Sequence, residues 1–274
     1  MNRSGRTMRR LFGIPHLLLF GVILLAAACS HIPRPQPGAA PEDYLRYGWQ
    51  LLDEGKFFQA KEIFQELIYT APGSAIIDSV HYGLAETHFA ERNYFLALSE
   101  YSTIVRSFPR SGLVDDAAFK VGICHWEQSN SYKLDQMETL EAREAFRTFL
   151  LDYPTSDIAD DVVTYLEMTE DKLARKKIYE GETYLKLGTE RDLVSAVIAF
   201  QEALTIWQRS SHIDLALWGL GEVYYRQGRH DDARAAFGAL VANFPDSKRV
   251  KRARARLEDL GASETLSATP PPIS

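Results

Sequence analysis

The chain has 274 residues, with 31 Lys or Arg against 37 Asp or Glu and a formal charge of −6. Four of those cations and none of the acids fall in residues 1–28, so the remainder is more acidic still, which argues against a nucleic-acid-binding surface. There are two cysteines, Cys29 and Cys124, and lipidation of Cys29 would leave no partner for an internal disulfide.

Residues 1–28 carry Arg3, Arg6, Arg9 and Arg10 and then an apolar run over 17–28, the pattern of a secretory signal. Gly13, Pro15 and His16 confine that run to twelve residues, well short of the ~20 that span a bilayer. The stretch Ala26-Ala27-Ala28-Cys29 resembles a bacterial lipobox, although its leucine, Leu25, stands four places before the cysteine instead of three. The resemblance implies that Cys29 is lipidated and becomes the mature N-terminus. Ser30 follows it, which in Gram-negative lipoproteins implies sorting to the outer membrane, with the chain anchored on the periplasmic face.

Residues 29–41 include four prolines and no periodic apolar face. In polyproline form such a tether reaches roughly 30 Å at about 3.1 Å per residue. From residue 42 onward, apolar residues recur at spacings of three and four with no alternation, so the expected class is all-α. Residues 262–274 have the composition of a disordered tail.

Five times a helix is expected to give way to the next through a similar heptapeptide: Pro72-Gly-Ser-Ala-Ile-Ile-Asp78, Pro109-Arg-Ser-Gly-Leu-Val-Asp115, Pro154-Thr-Ser-Asp-Ile-Ala-Asp160, Gln208-Arg-Ser-Ser-His-Ile-Asp214 and Pro245-Asp-Ser-Lys-Arg-Val-Lys251. Proline lacks an N–H and clashes with the preceding turn, so it closes a helix. The serine two places on (Ser74, Ser111, Ser156, Ser210, Ser247) is expected to cap the next one, and the Asp suits the positive end of its dipole.

Upstream of each junction stand a small residue, an aromatic four later and a third marker three later: Ala60-Phe64-Leu67, Ala97-Tyr101-Ile104, Ala142-Phe146-Phe149, Ala196-Phe200-Ala203 and Ala233-Phe237-Leu240. Gly48, Ala85 and Gly221 lie twelve residues before their alanines, where two backbones are expected to pass closely. These markers resemble the tetratricopeptide repeat, a helix–turn–helix unit that buries its apolar face only by stacking. The expected fold is therefore a right-handed α-solenoid of five such repeats with a C-terminal capping helix over 247–260.

Two steps are irregular. The ordinary step between junctions is 37 residues, but Pro109 to Pro154 is 45 and Pro154 to Gln208 is 54. The first excess falls in the stretch from Gln128 to Met137, between the two helices of repeat three. The second lengthens the first helix of repeat four to about 157–187.

No zinc-protease, phosphate-loop or nucleophile-elbow motif occurs in the sequence; no cofactor is expected and the chain does not look like an enzyme. Gly219-Leu220-Gly221 suits close helix packing. His81, His88 and His125 are expected to face the interior, with no third ligand to make them a metal site.

The repeats do provide a surface. In this kind of array the first helix of each pair lines a concave face, and the repeat positions place Leu45, Trp49, Leu52, Tyr82, Phe89, Phe119, Ile123 and Trp126 there, with Asp53, Glu86, Asp116 and Glu127 as acids. Such a groove suits an extended or helical peptide with apolar anchors. On the last helix, Lys248, Arg249, Lys251, Arg252, Arg254 and Arg256 make either a solvated cap or a docking surface for an acidic partner.

Taken together, the lipoprotein start, the junctions Phe108-Pro-Arg-Ser111, Tyr153-Pro-Thr-Ser156 and Phe244-Pro-Asp-Ser247, the insertion with Leu134-Asp135-Gln136 and the long helix through Lys172-Leu-Ala-Arg175 to Tyr184-Leu-Lys186 resemble the BamD lipoproteins of the outer-membrane β-barrel assembly machine. The resemblance implies an adaptor whose N-terminal repeats (42–155) receive C-terminal segments of unfolded outer-membrane proteins, while its C-terminal repeats (156–261) dock on the barrel subunit. The alternative is another periplasmic repeat scaffold, such as the coordinator beside the Tol-Pal system. That family usually begins with a coiled coil, and no heptad run precedes Tyr44.

Overall fold

Segments with one apolar stripe each bury it by packing in pairs. The computed structural model describes residues 33–267, with side chains described to Gly261; the signal segment, Cys29 and residues 268–274 lie outside the described residues. Among those described there are eleven helices and no strand: α1 (Pro41–Asp53), α2 (Phe57–Thr70), α3 (Ile77–Ala90), α4 (Tyr94–Ser107), α5 (Val114–Gln128), α6 (Met137–Asp152), α7 (Ala159–Leu187), α8 (Glu190–Ile206), α9 (Ile213–Arg226), α10 (His230–Asn243) and α11 (Val250–Ser267). Each helix packs on its sequence neighbours, and the first helices of successive pairs also touch, α1 on α3 and α7 on α9. The fold is an all-α tetratricopeptide solenoid.

Pro41 opens α1 at its first turn, where its missing N–H costs nothing. The last helix starts three residues later than expected and continues to Ser267, six residues into the segment whose composition suggests disorder. The long helix α7 begins at Ala159 and ends at Leu187, where Gly188 adopts φ +76° and takes the left-handed cap.

The aromatic of each second helix is the centre of its repeat. Phe64, Tyr101, Phe146, Phe200 and Phe237 are fully buried. The small residues of the first helices make room for those rings, not for a neighbouring backbone as the spacing suggests. A Cβ added at Gly48 would meet the Phe64 ring at 2.7 Å, and one at Gly83, in the next repeat, would meet the same ring at 2.5 Å. Phe200 is held in the same way by Gly181 and Gly219, while Gly122 faces Phe146 and Gly221 faces Phe237.

The junctions also differ from expectation. The N-caps of α3, α5, α7 and α9 are Ile76, Leu113, Ile158 and His212, none with a side-chain cap. Ser111 Oγ instead accepts from the Leu113 amide, before the helix, and donates to Asp78 at 2.5 Å. Ser156 does the same with Ile158 and Asp115, and Ser247 with Arg249 and Asp214. These three serines are therefore ties between successive repeats, whereas Ser74 Oγ is buried with no partner and Ser210 accepts from the His212 amide.

Gln208, in place of a proline, changes little: its preceding cap Trp207 has φ −117° and ψ 51°, against −127° and 53° at Tyr153. The preceding carbonyl bonds, not the imide ring, set this bend.

Candidate functional site: an aromatic concave face

The first helices of repeats one to three bring the expected rings into a row. Trp49 lies edge-on to Phe64 at 5.9 Å and tilted against Tyr82 at 6.3 Å. Tyr82 meets Tyr101 at 5.5 Å, Phe89 meets Tyr94 at 5.2 Å, and Phe119 meets the Phe146 and Phe149 rings. None of these rings is freely exposed; Trp49, Tyr82, Phe89, Phe119 and Trp126 are half-buried, each with one side in the core and the other on the surface. Leu45 and Leu52 flank Trp49 in the same way.

Ile123 does not belong to the face. It is 7% exposed and packs with Ala142, Phe146, Phe149 and Val162. Trp49 holds the corresponding repeat position, and its indole is long enough to reach from that core to the surface; the shorter Ile123 side chain is covered.

The polar groups are already tied together. Glu86 accepts from the Tyr101 hydroxyl at 2.5 Å and pairs with Lys120 at 2.7 Å, while Lys120 also sits 4.9 Å above the Phe89 ring. Burial, reinforced by the Glu86 carboxylate, pushes the Tyr82 phenol well above its usual range, so it stays neutral. Asp116 is raised by burial and by Asp115 and Asp157 nearby. Asp53 and Glu127 remain exposed, the latter accepting from the Tyr94 hydroxyl at 3.3 Å.

Repeat four extends the face. Tyr165 of α7 lies 5.6 Å from Phe119 and 6.5 Å from Trp126, and Lys172, two turns on, places its Nζ 4.7 Å from the Trp126 ring centre. The same extra turns hold the repeat-three insertion. Lys172 Nζ donates to Ser129 Oγ at 2.6 Å, Tyr132 stacks edge-on against Tyr179 at 5.7 Å, and Arg175 covers Tyr132. Gln136 closes the loop from within, donating to the carbonyls of Ser131, Leu134 and Asp135 and accepting from Thr139. The two irregular steps of the sequence are thus two halves of one contact.

The cationic helix divides into two sets. Arg249 reaches Asp214, Arg252 lies 4.5 Å over Trp218, and Arg256 pairs with Glu222 at 2.8 Å while covering Tyr225. These three hold the cap on. Lys248, Lys251 and Arg254 are exposed, as is Arg252 despite its ring contact.

The histidines separate. His81 and His125 each meet a second-helix carboxylate, Glu100 and Glu138, at 2.7 Å, and His88 is buried. Among the described residues no three His, Cys, Asp or Glu side chains converge. Cys124 is buried, and burial raises its thiol to about 12, so it carries no thiolate. A cleft of about 690 Å³ is lined by Met168, Ile206 and Trp207, with Glu170 and Asp171 taken by Arg147 and Ser211 and Glu167 exposed.

A surface row escaped the sequence reading. Phe58 and Phe95 (each 69% exposed), Leu140 and Val194 all stand two places before a marker alanine, on the outer helices, and the row ends at Asp231. The repeat spacing could have found it, since exposure recurs at the same register.

Two curated proteins are similar over most of the chain, both outer membrane protein assembly factors BamD: one from Caulobacter vibrioides, 28% identical over 81% of this chain and 72% of its own length, and one from Rickettsia prowazekii, 25% identical over 85% and 91%. Among solved structures, the TPR2AB domain of yeast Sti1 in complex with pHSP90 is 14% identical over 81% of this chain and 83% of its own, with a TM-score of 0.42. A tetratricopeptide-repeat model matches residues 218–261. The YfiO model, described as an outer membrane lipoprotein, matches residues 39–236, every repeat but the end of the fifth, and this chain belongs to that family, the family of the BamD proteins.

Proposed function

We propose that the chain is a non-enzymatic lipoprotein subunit of the outer-membrane β-barrel assembly machinery, anchored through Cys29. Its first three repeats receive extended segments of unfolded outer-membrane proteins, and its last two dock on the barrel subunit. The observation that carries the client half of this reading is the row of half-buried rings from Trp49 to Trp126, beside which Glu86 and Lys120 neutralise each other. Along the Tyr82 and Phe89 part of the row, apolar anchor sites are presented without the cost of stripping an unpaired charge of water.

The docking half rests on the family and on the exposed Lys248, Lys251 and Arg254. Purification of the full chain from detergent-solubilised membranes tests the whole. A β-barrel assembly subunit should accompany it, and unfolded barrel precursors should be captured by crosslinks placed beside Tyr82. Recovery of the chain with neither would sink the proposal.

A further inference from the structure

Of the cations along α7, Lys186 is exposed near the C-terminal end and three others reach acids. Arg175 holds Glu182 through two nitrogens at 3.0 Å, Lys176 reaches Glu180 at 3.8 Å, and Lys177 reaches Glu180 and Glu202 at 3.2 Å each. Lys172 stands apart: it is half-buried, and among the described residues it has no carboxylate partner. Its recorded contacts are the Ser129 hydroxyl at 2.6 Å, the Ser129 carbonyl at 3.4 Å and the face of Trp126. Ser129 spends its own hydroxyl proton on the Trp126 carbonyl at 2.5 Å, so it can only accept from Lys172.

An ammonium has three donors. Ser129 accounts for two, and the charge remains uncompensated beside a ring on the concave face. Burial alone lowers the Lys172 pKa, with no acid acting against it, which is the condition an incoming carboxylate would relieve.

Resting on the client-binding reading above, we propose that Lys172 receives the terminal carboxylate of the bound segment while its last side chain lies against Trp126 and Tyr165. A side-chain carboxylate fits less well. The same face carries Asp116 and Glu127, which repel an acidic sequence, whereas the last residue of a chain offers a carboxylate and an apolar side chain on one carbon. That matches an ammonium 4.7 Å from an indole.

The probe is a fluorescently labelled decapeptide of alternating apolar residues ending in Phe, made as the free acid and as the carboxamide, with anisotropy measured on the full chain in detergent. A charge-assisted hydrogen bond contributes about 1.5–3 kcal/mol, so the acid should bind at least ~10-fold more tightly than the amide. Lys172→Gln, which keeps a donor for Ser129, should bind both at the amide level, and Lys172→Arg should keep the preference.

Equal binding of acid and amide by the unaltered chain overturns the carboxylate assignment and leaves the groove standing. So does a full preference surviving in Lys172→Gln. An amidated peptide with an internal Asp that regains the acid's affinity would move the contact to a side chain and overturn the terminal assignment. Absence of binding by either form overturns the groove reading and this one together.

Discussion

Asp171 accepts two hydrogen bonds from Ser211, forty residues away: from the amide at 2.8 Å and from the hydroxyl at 2.6 Å. At three other junctions the acid that ties back a serine is the second residue of its helix, as Asp78, Asp115 and Asp214 are. In α7 that place belongs to Asp160, which is exposed. Asp171 lies eleven residues further, about three turns, on the same face of the helix. The lengthened repeat keeps the tie by moving the acid along the helix.

That tie should be visible in acid. Burial works against the Asp171 carboxylate, but the hydrogen bonds from Ser210 and Ser211 outweigh it and hold its pKa below the ordinary 3.8. A carboxylate depressed on folding contributes stability that is present above the unfolded value and lost as pH falls through the folded one. Urea melts of Asp171→Asn should be displaced from the unaltered chain's by about 1–3 kcal/mol near neutral pH and should converge with them below pH 4. A constant gap at all pH values would mean the carboxylate's charge is not involved.

His88 acts at a higher pH. It is 8% exposed with no partner at Nδ1, and burial, with Lys61 next, holds its pKa below the usual 6.5 against the opposing Glu100 and Glu91. The unfolded chain therefore takes up its proton first, and stability should decline as pH falls below about 6.5 until the folded histidine also titrates. His88→Gln should flatten that decline; an unchanged slope would place its source elsewhere.

Phe64 sits between two glycines of successive repeats. Gly83→Ala would put a methyl 2.5 Å from its ring, and overpacking of this kind costs about 1–3 kcal/mol. Combining it with Phe64→Leu should recover part of the loss, as contacting sites are not additive. Additive effects in denaturant melts would contradict the shared contact.

The groove rings have a core side as well as a surface side, so truncation to alanine mixes two effects. Trp126→Leu keeps most of the packing and removes the ring. It should weaken a client C-terminal peptide by at least ~10-fold, in the range of an interface anchor, with a modest shift in melting temperature. Phe58→Ser, which removes an exposed outer ring, should leave peptide affinity unchanged. If the outer variant loses the peptide and Trp126→Leu does not, the concave face is the wrong one.

On the cap, Lys251→Glu with Arg254→Glu should slow association with the barrel subunit and reduce its salt dependence without changing stability. Arg256→Glu differs because it leaves Glu222, 8% exposed, facing a second carboxylate. It should cost about 1–2 kcal/mol of stability, and melts that match for the two variants would show that Arg256 does not hold the helix.

Periodicity made the repeats, their five buried aromatics and the ends of α7 legible, because each depends on spacing along one helix. The role of the junction serines was not, since their acceptors lie 33 to 41 residues away and local capping chemistry looks the same in sequence. Ile123 was misplaced because repeat position gives a direction but not a depth. Tyr165 and Lys172 were overlooked because the inserted turns of α7 shift its residues out of the repeat numbering.

The contact between residues 129–136 and the extra turns of α7 makes the two departures from regular spacing interdependent. A chain that lost only the loop would leave Tyr179 and Lys172 without their cover, and one that lost only the turns would leave Tyr132 and Gln136 closing a loop against nothing. The two insertions are therefore expected to be gained or lost together, so that relatives should have both or neither.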